Sequence, residues 1–139
     1  MLVKCFKLAC YDEDGWTWHI DEIRNPNWQQ IEDGIRRLDK FCYPWVELHL
    51  DEGGEVTARN CLVVMGGKGD FWVCLSVGDL EQIRLFDPNK SSNDVDLWTS
   101  DQGFSDYEFH VSYDIELILK IAKHFADQGQ ALPEASWEF

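Results

Sequence analysis

Positive charge is scarce in this chain. Lysine and arginine together number 12 against 26 aspartates and glutamates, giving a formal net charge of −14 over 139 residues. A surface this negative repels nucleic acid and anionic membranes and speeds association with cationic partners. No apolar run reaches the roughly 18 residues of a membrane span. There is no Cys-x-x-Cys pair, no His-x-x-His or His-Glu-x-x-His spacing and no Gly-x-Ser-x-Gly elbow. The usual sequence marks of a zinc centre, a redox dithiol and a serine hydrolase are therefore missing. The opening Met1-Leu2-Val3-Lys4-Cys5-Phe6 turns polar too soon for a secretory leader, so cytoplasmic residence is expected.

Aromatic residues, in contrast, are plentiful at 14%, with seven tryptophans. That content excludes a solvated acidic tail and points to one compact domain spanning 1–139. The five cysteines, Cys5, Cys10, Cys42, Cys61 and Cys74, are odd in number and mostly lie in apolar, strand-like runs. They read as free thiols kept in a reducing compartment. With no secretory leader expected, the Asn89-Lys90-Ser91 sequon reads as chance.

Periodicity predicts an α+β fold: a mainly antiparallel sheet of about five to seven strands with two main helices packed on it. A hairpin is expected from strands at 1–11 and 16–20 across the turn Asp12-Glu13-Asp14-Gly15. Asn27 and Gln30 have the spacing of a capping box. Trp28, Ile31, Ile35 and Leu38 then follow at helical intervals, with Gly34 placed to allow close packing on the sheet. Arg36, Arg37 and Lys40 suit the negative end of that helix. Further strands are predicted at 45–50, 60–65, 71–77 and 82–86. The connecting turns fall at 51–54, at Gly66-Gly67-Lys68-Gly69 and at Gly78-Asp79. Residues 87–106 read as a long polar loop, 107–113 as a last strand, and 114–127 as a second helix with Ile115, Leu119, Ala122 and Phe125 inward. Gly129 stops that helix, and the aromatic tail is placed to pack back on the body.

Other candidate motifs have plainer roles. Gly66-Gly67-Lys68-Gly69 follows a strand but opens into Phe71-Trp72-Val73 with no Ser or Thr after the lysine. It is a hairpin turn rather than a phosphate cradle, which needs a helix start. His19, His49, His110 and His124 are scattered and read as ordinary surface or half-buried side chains, with no metal and no cofactor expected. Carboxylates are abundant, yet no pair stands out for acid–base work.

What remains is acidic and aromatic clustering at two places: Asp12, Glu13 and Asp14 beside Trp16, and Asp94, Asp96, Trp98, Asp101 and Asp106. One reading is a pair of solvated loops with a tryptophan tucked inward. The other is a protein interface in which carboxylates meet Arg and Lys around an aromatic anchor. The second reading places the 94–106 set at the interface first and 12–16 second. An effector chaperone or scaffold would suit the same composition, and a small acidic hydrolase is a further alternative.

Several blocks also resemble a known family. Asn25-Pro26-Asn27-Trp28-Gln29-Gln30-Ile31-Glu32, with Ile35-Arg36-Arg37-Leu38-Asp39, is similar to the opening helix of the first immunity-protein family of bacterial polymorphic-toxin systems. Leu62-Val63-Val64-Met65-Gly66-Gly67 resembles the strand and glycine turn that follow there. The stretch 121–129, then Leu132-Pro133 and Trp137-Glu138, is similar to the family's closing signature. The first 24 residues and 88–106 lie outside the resemblance. It implies a cytoplasmic α+β inhibitor, monomeric and without catalysis. Such an inhibitor binds one-to-one to a cognate toxin domain with a basic surface, often a nucleic-acid deaminase, and has no nucleic-acid or membrane partner of its own.

Overall fold

The computed structural model describes residues 1–51, 60–76 and 82–139. The turns expected at 52–54 and 78–79 lie outside the described residues. The chain forms β1 (Cys5–Tyr11), β2 (Trp18–Arg24), α1 (Trp28–Arg36), β3 (Trp45–His49), β4 (Cys61–Gly67), β5 (Asp70–Ser76), β6 (Ile83–Leu85), β7 (Asp94–Trp98), β8 (Phe104–Tyr107), α2 (Ile115–Gln128) and β9 (Trp137–Glu138). Seven strands make one antiparallel sheet in the order β2-β1-β3-β4-β5-β6-β9, and β7-β8 form a separate hairpin. The molecule is a single α+β domain. Among the described residues no helix is long and apolar enough to cross a membrane.

Local signals account for most of these elements. Asn27 caps α1: its side chain accepts the Gln30 amide at 2.8 Å, and Gln30 Oε1 accepts the Asn27 amide at 3.0 Å. Ile31 and Ile35 are fully buried, Leu38 follows just beyond the helix, and Trp28 packs at the margin. A Cβ at Gly34 would lie 2.6 Å from Phe6 Cζ, so glycine here sets how closely α1 approaches β1. Asp114 caps α2 and Gly129 ends it in the left-handed conformation. α2 buries Leu119, Ala122 and Phe125 as expected, and Ile118, Ile121 and Ala126 as well, while Ile115 is only half-buried. Both helices cover one face of the sheet, against Phe6, Leu48, Leu62 and Val73.

Five expectations are corrected. β2 begins at Trp18 and runs to Arg24, so the strand extends beyond the predicted 16–20 and places His19 and Asp21 on the sheet edge. The stretch 87–106 is not a plain loop, because β7 and the start of β8 lie within it. Its alternation is real: Val95 and Leu97 turn inward, while Asp94 and Asp96 are exposed. Aspartate is depleted in strands generally, which disguised the pattern. The predicted strand at 107–113 is instead a 3₁₀ turn at Glu108–His110 followed by an isolated bridge from Ser112 to Phe71. Finally, His49 and His110 are both 4% exposed, not surface or half-buried residues. Lys40 also lies past α1 and pairs with Asp70 rather than with the helix end.

The tail does pack back. β9 pairs with β6, Trp137 Nε1 donates to the Leu132 carbonyl at 3.0 Å, and Phe139 alone of the tail aromatics stays open to solvent. All five cysteines are free thiols, Cys42 half-buried and the others buried.

Candidate functional site

The β1–β2 turn is organised by one carboxylate. Asp14 Oδ1 accepts the amides of Trp16 and Thr17 at 2.8 and 2.9 Å, and Oδ2 accepts the Thr17 hydroxyl at 2.6 Å. The Thr17 hydroxyl, followed by these backbone donors, holds the Asp14 carboxyl below its ordinary value. The turn projects Trp16 and Trp18 into solvent, 66% and 53% exposed, with Asp12 and Glu13 exposed beside them.

The β7–β8 hairpin folds back as a flap over the sheet face that the helices leave open. Leu97 is fully buried beneath it. Trp98 packs on Tyr11 and Trp45, with ring centroids 6.0 and 5.1 Å away. Its Nε1 donates to Ser100 Oγ at 2.8 Å, and that hydroxyl donates to the Phe41 carbonyl at 2.9 Å. Tyr11 also stacks on Trp18. The flap's own turn then meets the β1–β2 turn. The Asp101 amide donates to the Gly15 carbonyl at 2.7 Å, and the Tyr11 hydroxyl donates to Asp101 Oδ2 at 3.2 Å across 90 residues of chain. Burial, reinforced by Asp101, pushes the Tyr11 phenol up to about 12.

The two acidic segments therefore share one end of the molecule. Asp12, Glu13, Trp16 and Trp18 stand on one side of the junction and Asp96 and Trp98 on the other, with Asp101 between them; Asp94 is exposed farther along β7. An open groove of 570 Å³ runs along the flap between Asp96, Trp98, Gln102 and Phe104. The ion pairs among the described residues lie elsewhere: Lys40 with Asp70, Arg84 with Asp106, Arg36 with Glu32 and Glu116, Lys120 with Glu134, Lys123 with Asp127, and Lys7 and Arg24 with Glu22. Among the described residues none forms an ion pair with Asp12, Glu13, Asp94, Asp96 or Asp101.

Asp106 differs from the rest of its set because it faces inward. Its Oδ2 accepts Trp72 Nε1 at 2.9 Å with Arg84 at 3.7 Å, and Oδ1 lies 3.0 Å from His110 Nδ1. Burial works to raise its pKa, but the bonds from His110, the Tyr107 amide and Trp72 outweigh burial and leave the carboxyl below its ordinary value. His110 Nε2 meets Glu138 Oε1 at 2.9 Å, so one buried imidazole ties the flap to the terminal strand β9. Sequence reasoning missed this network. It also missed Tyr11, Trp45 and Phe104 as neighbours of the acidic set, because nothing local pairs them.

Two further groups bring metal-ligating atoms together, each with three donor atoms within 4.8 Å of one another: Cys10, His19 and Asp21, and Glu47, His49 and Cys61. In the second, His49 Nε2 lies 2.8 Å from Glu47 Oε1 and 3.6 Å from Cys61 Sγ. Both partners approach the same ring nitrogen, so the group is not a thiol–imidazole–carboxylate relay, which needs one partner on each nitrogen. Burial, with Glu47 next, pushes the Cys61 thiol up.

No protein-family model matches the chain, and no curated protein matches it either. Among solved structures the fold is similar to that of a hypothetical protein from Neisseria gonorrhoeae. That match has a TM-score of 0.61 at 15% identity and covers 93% of this chain and 90% of that one. At this identity the likeness shows the fold alone.

Proposed function

We propose that this chain is an inhibitor that binds a basic partner protein through the surface shared by the β1–β2 turn and the β7–β8 flap. The observation that carries the reading is the convergence of two acidic, aromatic segments onto one end of the molecule, with Asp12, Glu13 and Asp96 unpaired by any described cation. Exposed carboxylates steer a cationic partner and select against others, and half-buried Trp98 beside exposed Trp16 and Trp18 supplies the apolar contact that slows dissociation. Together with the blocks that resemble the first immunity family, this supports reading the chain as a cytoplasmic immunity protein for a toxin domain. A toxin acting on nucleic acid needs a basic cleft for phosphates, and a polyanionic protein covers such a cleft with no chemistry of its own.

The test is co-expression with the C-terminal domain encoded immediately upstream, scored by growth and by co-purification. Rescue with a one-to-one complex that weakens as salt rises supports the proposal. A neighbour that stays toxic and forms no complex refutes it for that pair. Indiscriminate binding to unrelated basic proteins would make the chain a general acidic binding module instead. Alanine at Asp94, Asp96 and Asp101 together should weaken the complex and flatten its salt dependence; unchanged values would remove the flap from the interface.

A further inference from the structure

We propose that Cys10, His19 and Asp21 form a binding site for one divalent transition-metal ion of the zinc type at the open edge of the sheet. The site follows from register. Cys10 and His19 are directly opposite across β1 and β2, and Asp21, two residues on, shares their face. Cys10 Sγ lies 3.4 Å from Asp21 Oδ2, and His19 Nε2 lies 3.2 Å from Asp21 Oδ1. Ligand–metal bonds of about 2.0–2.3 Å at a tetrahedral centre put neighbouring donor atoms roughly that far apart. A thiolate, a neutral imidazole and a carboxylate form a donor set suited to zinc, and one thiolate plus one carboxylate neutralise a divalent charge.

Access favours this group. β2 is the last strand of its sheet, and the side chains of His19 and Asp21 are 61% and 57% exposed. An ion can therefore reach His19 and Asp21 from solvent, with the buried Cys10 thiol beneath them, and keep water in its remaining position. In the Glu47–His49–Cys61 group the histidine and carboxylate are far less accessible, at 5% and 26%. Glu47 already accepts Trp45 Nε1 at 3.0 Å and sits 2.8 Å from His49, so an ion would have to break a buried network. His49 Nδ1 is also buried with no partner, whereas a ligating histidine needs an acceptor for its outer N–H.

The Cys10 thiol is held up to about 11 by burial first and then by the Asp21 carboxylate, against a smaller opposing effect of Arg37. A bound ion takes the place of the thiol proton, so affinity should rise with pH. Besides His19 and Asp21 on β2, the Arg37 guanidinium just past α1 acts on the site, and its charge opposes a bound cation.

The experiment titrates Co²⁺, then Zn²⁺ as competitor, into the untagged, chelator-stripped full chain. It reads the thiolate-to-cobalt charge-transfer band, with calorimetry for stoichiometry. One ion per chain is expected, with the band abolished in Cys10→Ser and intact in Cys61→Ser. His19→Ala and Asp21→Asn lie at exposed positions that do not threaten folding. Each should weaken binding by more than the roughly 10–100-fold that loss of an outer-shell partner costs. No charge-transfer band, a band surviving Cys10→Ser, or a band lost in Cys61→Ser would overturn the assignment.

Discussion

On the helix-covered face of the sheet, β3, β4 and β5 contribute only Val, Leu and Phe, and most of these side chains are fully buried. On the flap-covered face the same strands contribute Val63 and Met65 together with Trp45, Glu47, His49, Cys61, Trp72 and Cys74. The first face is held by burial, which is non-directional and tolerates many solutions. The second is held by directed bonds, such as Trp72 and His110 to Asp106, and by edge-on aromatic contacts such as Trp45 with Trp98 and Trp72 with Phe104. Apolar packing supplies stability, whereas the polar face fixes where the flap sits. Among the described residues, Asp12 and Glu13 at the adjoining turn and Asp94 and Asp96 on the flap's outer surface are exposed carboxylates with no ion-pair partner.

The largest effect should come from the apolar face. Phe125→Ala removes a fully buried ring and should cost about 3–5 kcal/mol in urea unfolding. A loss under about 1 kcal/mol would mean the helix layer contributes less than its burial implies.

On the other face, Asp106→Ala leaves Trp72 Nε1 and His110 without their acceptor and should cost about 1–3 kcal/mol. This loss should depend on pH. The folded Asp106 carboxyl lies below its unfolded value near 3.9, so its contribution is complete above that value and disappears as pH falls through the folded pKa. Unfolding curves for wild type and Asp106→Asn should therefore converge in acid. A gap constant from neutral pH downward would contradict the network.

A smaller change tests the local link. Asn27→Ala removes the α1 cap and should cost about 1 kcal/mol. Smallest of all in stability, the pair Asp94→Lys and Asp96→Lys should shift unfolding by no more than about 0.5 kcal/mol, as at ordinary surface positions. The same pair should sharply weaken capture of a basic partner. Loss of stability instead would make these carboxylates part of the fold rather than of a docking surface.

Much of the fold was legible from short-range pattern. The Asn27–Gln30 box, the isoleucine stripe of α1, the Asp114 start and Gly129 stop of α2, and the apolar run of β4 each declare themselves within a turn or two of chain. The candidate surface was half legible: its acidic and aromatic residues stood out by composition, but Asp106 turned inward and Tyr11 and Trp45 joined the cluster unannounced. The strand at 94–98 alternates correctly, yet its aspartates made it read as loop. The misplaced strand at 107–113 failed because His110 and Val111 are buried by partners from distant elements, not by a pleated ladder.

The sequence by itself determined a single α+β domain with two capped helices, free thiols and a strongly negative surface, because caps, periodicity and net charge depend on neighbours along the chain or on simple totals. Only the tertiary structure decided that Asp101 meets Gly15 and Tyr11, that His110 bridges Asp106 to Glu138, and that Cys10 faces His19 and Asp21. These contacts depend on strand register and on the flap's return. A shift of one residue in register would turn each side chain to the opposite face.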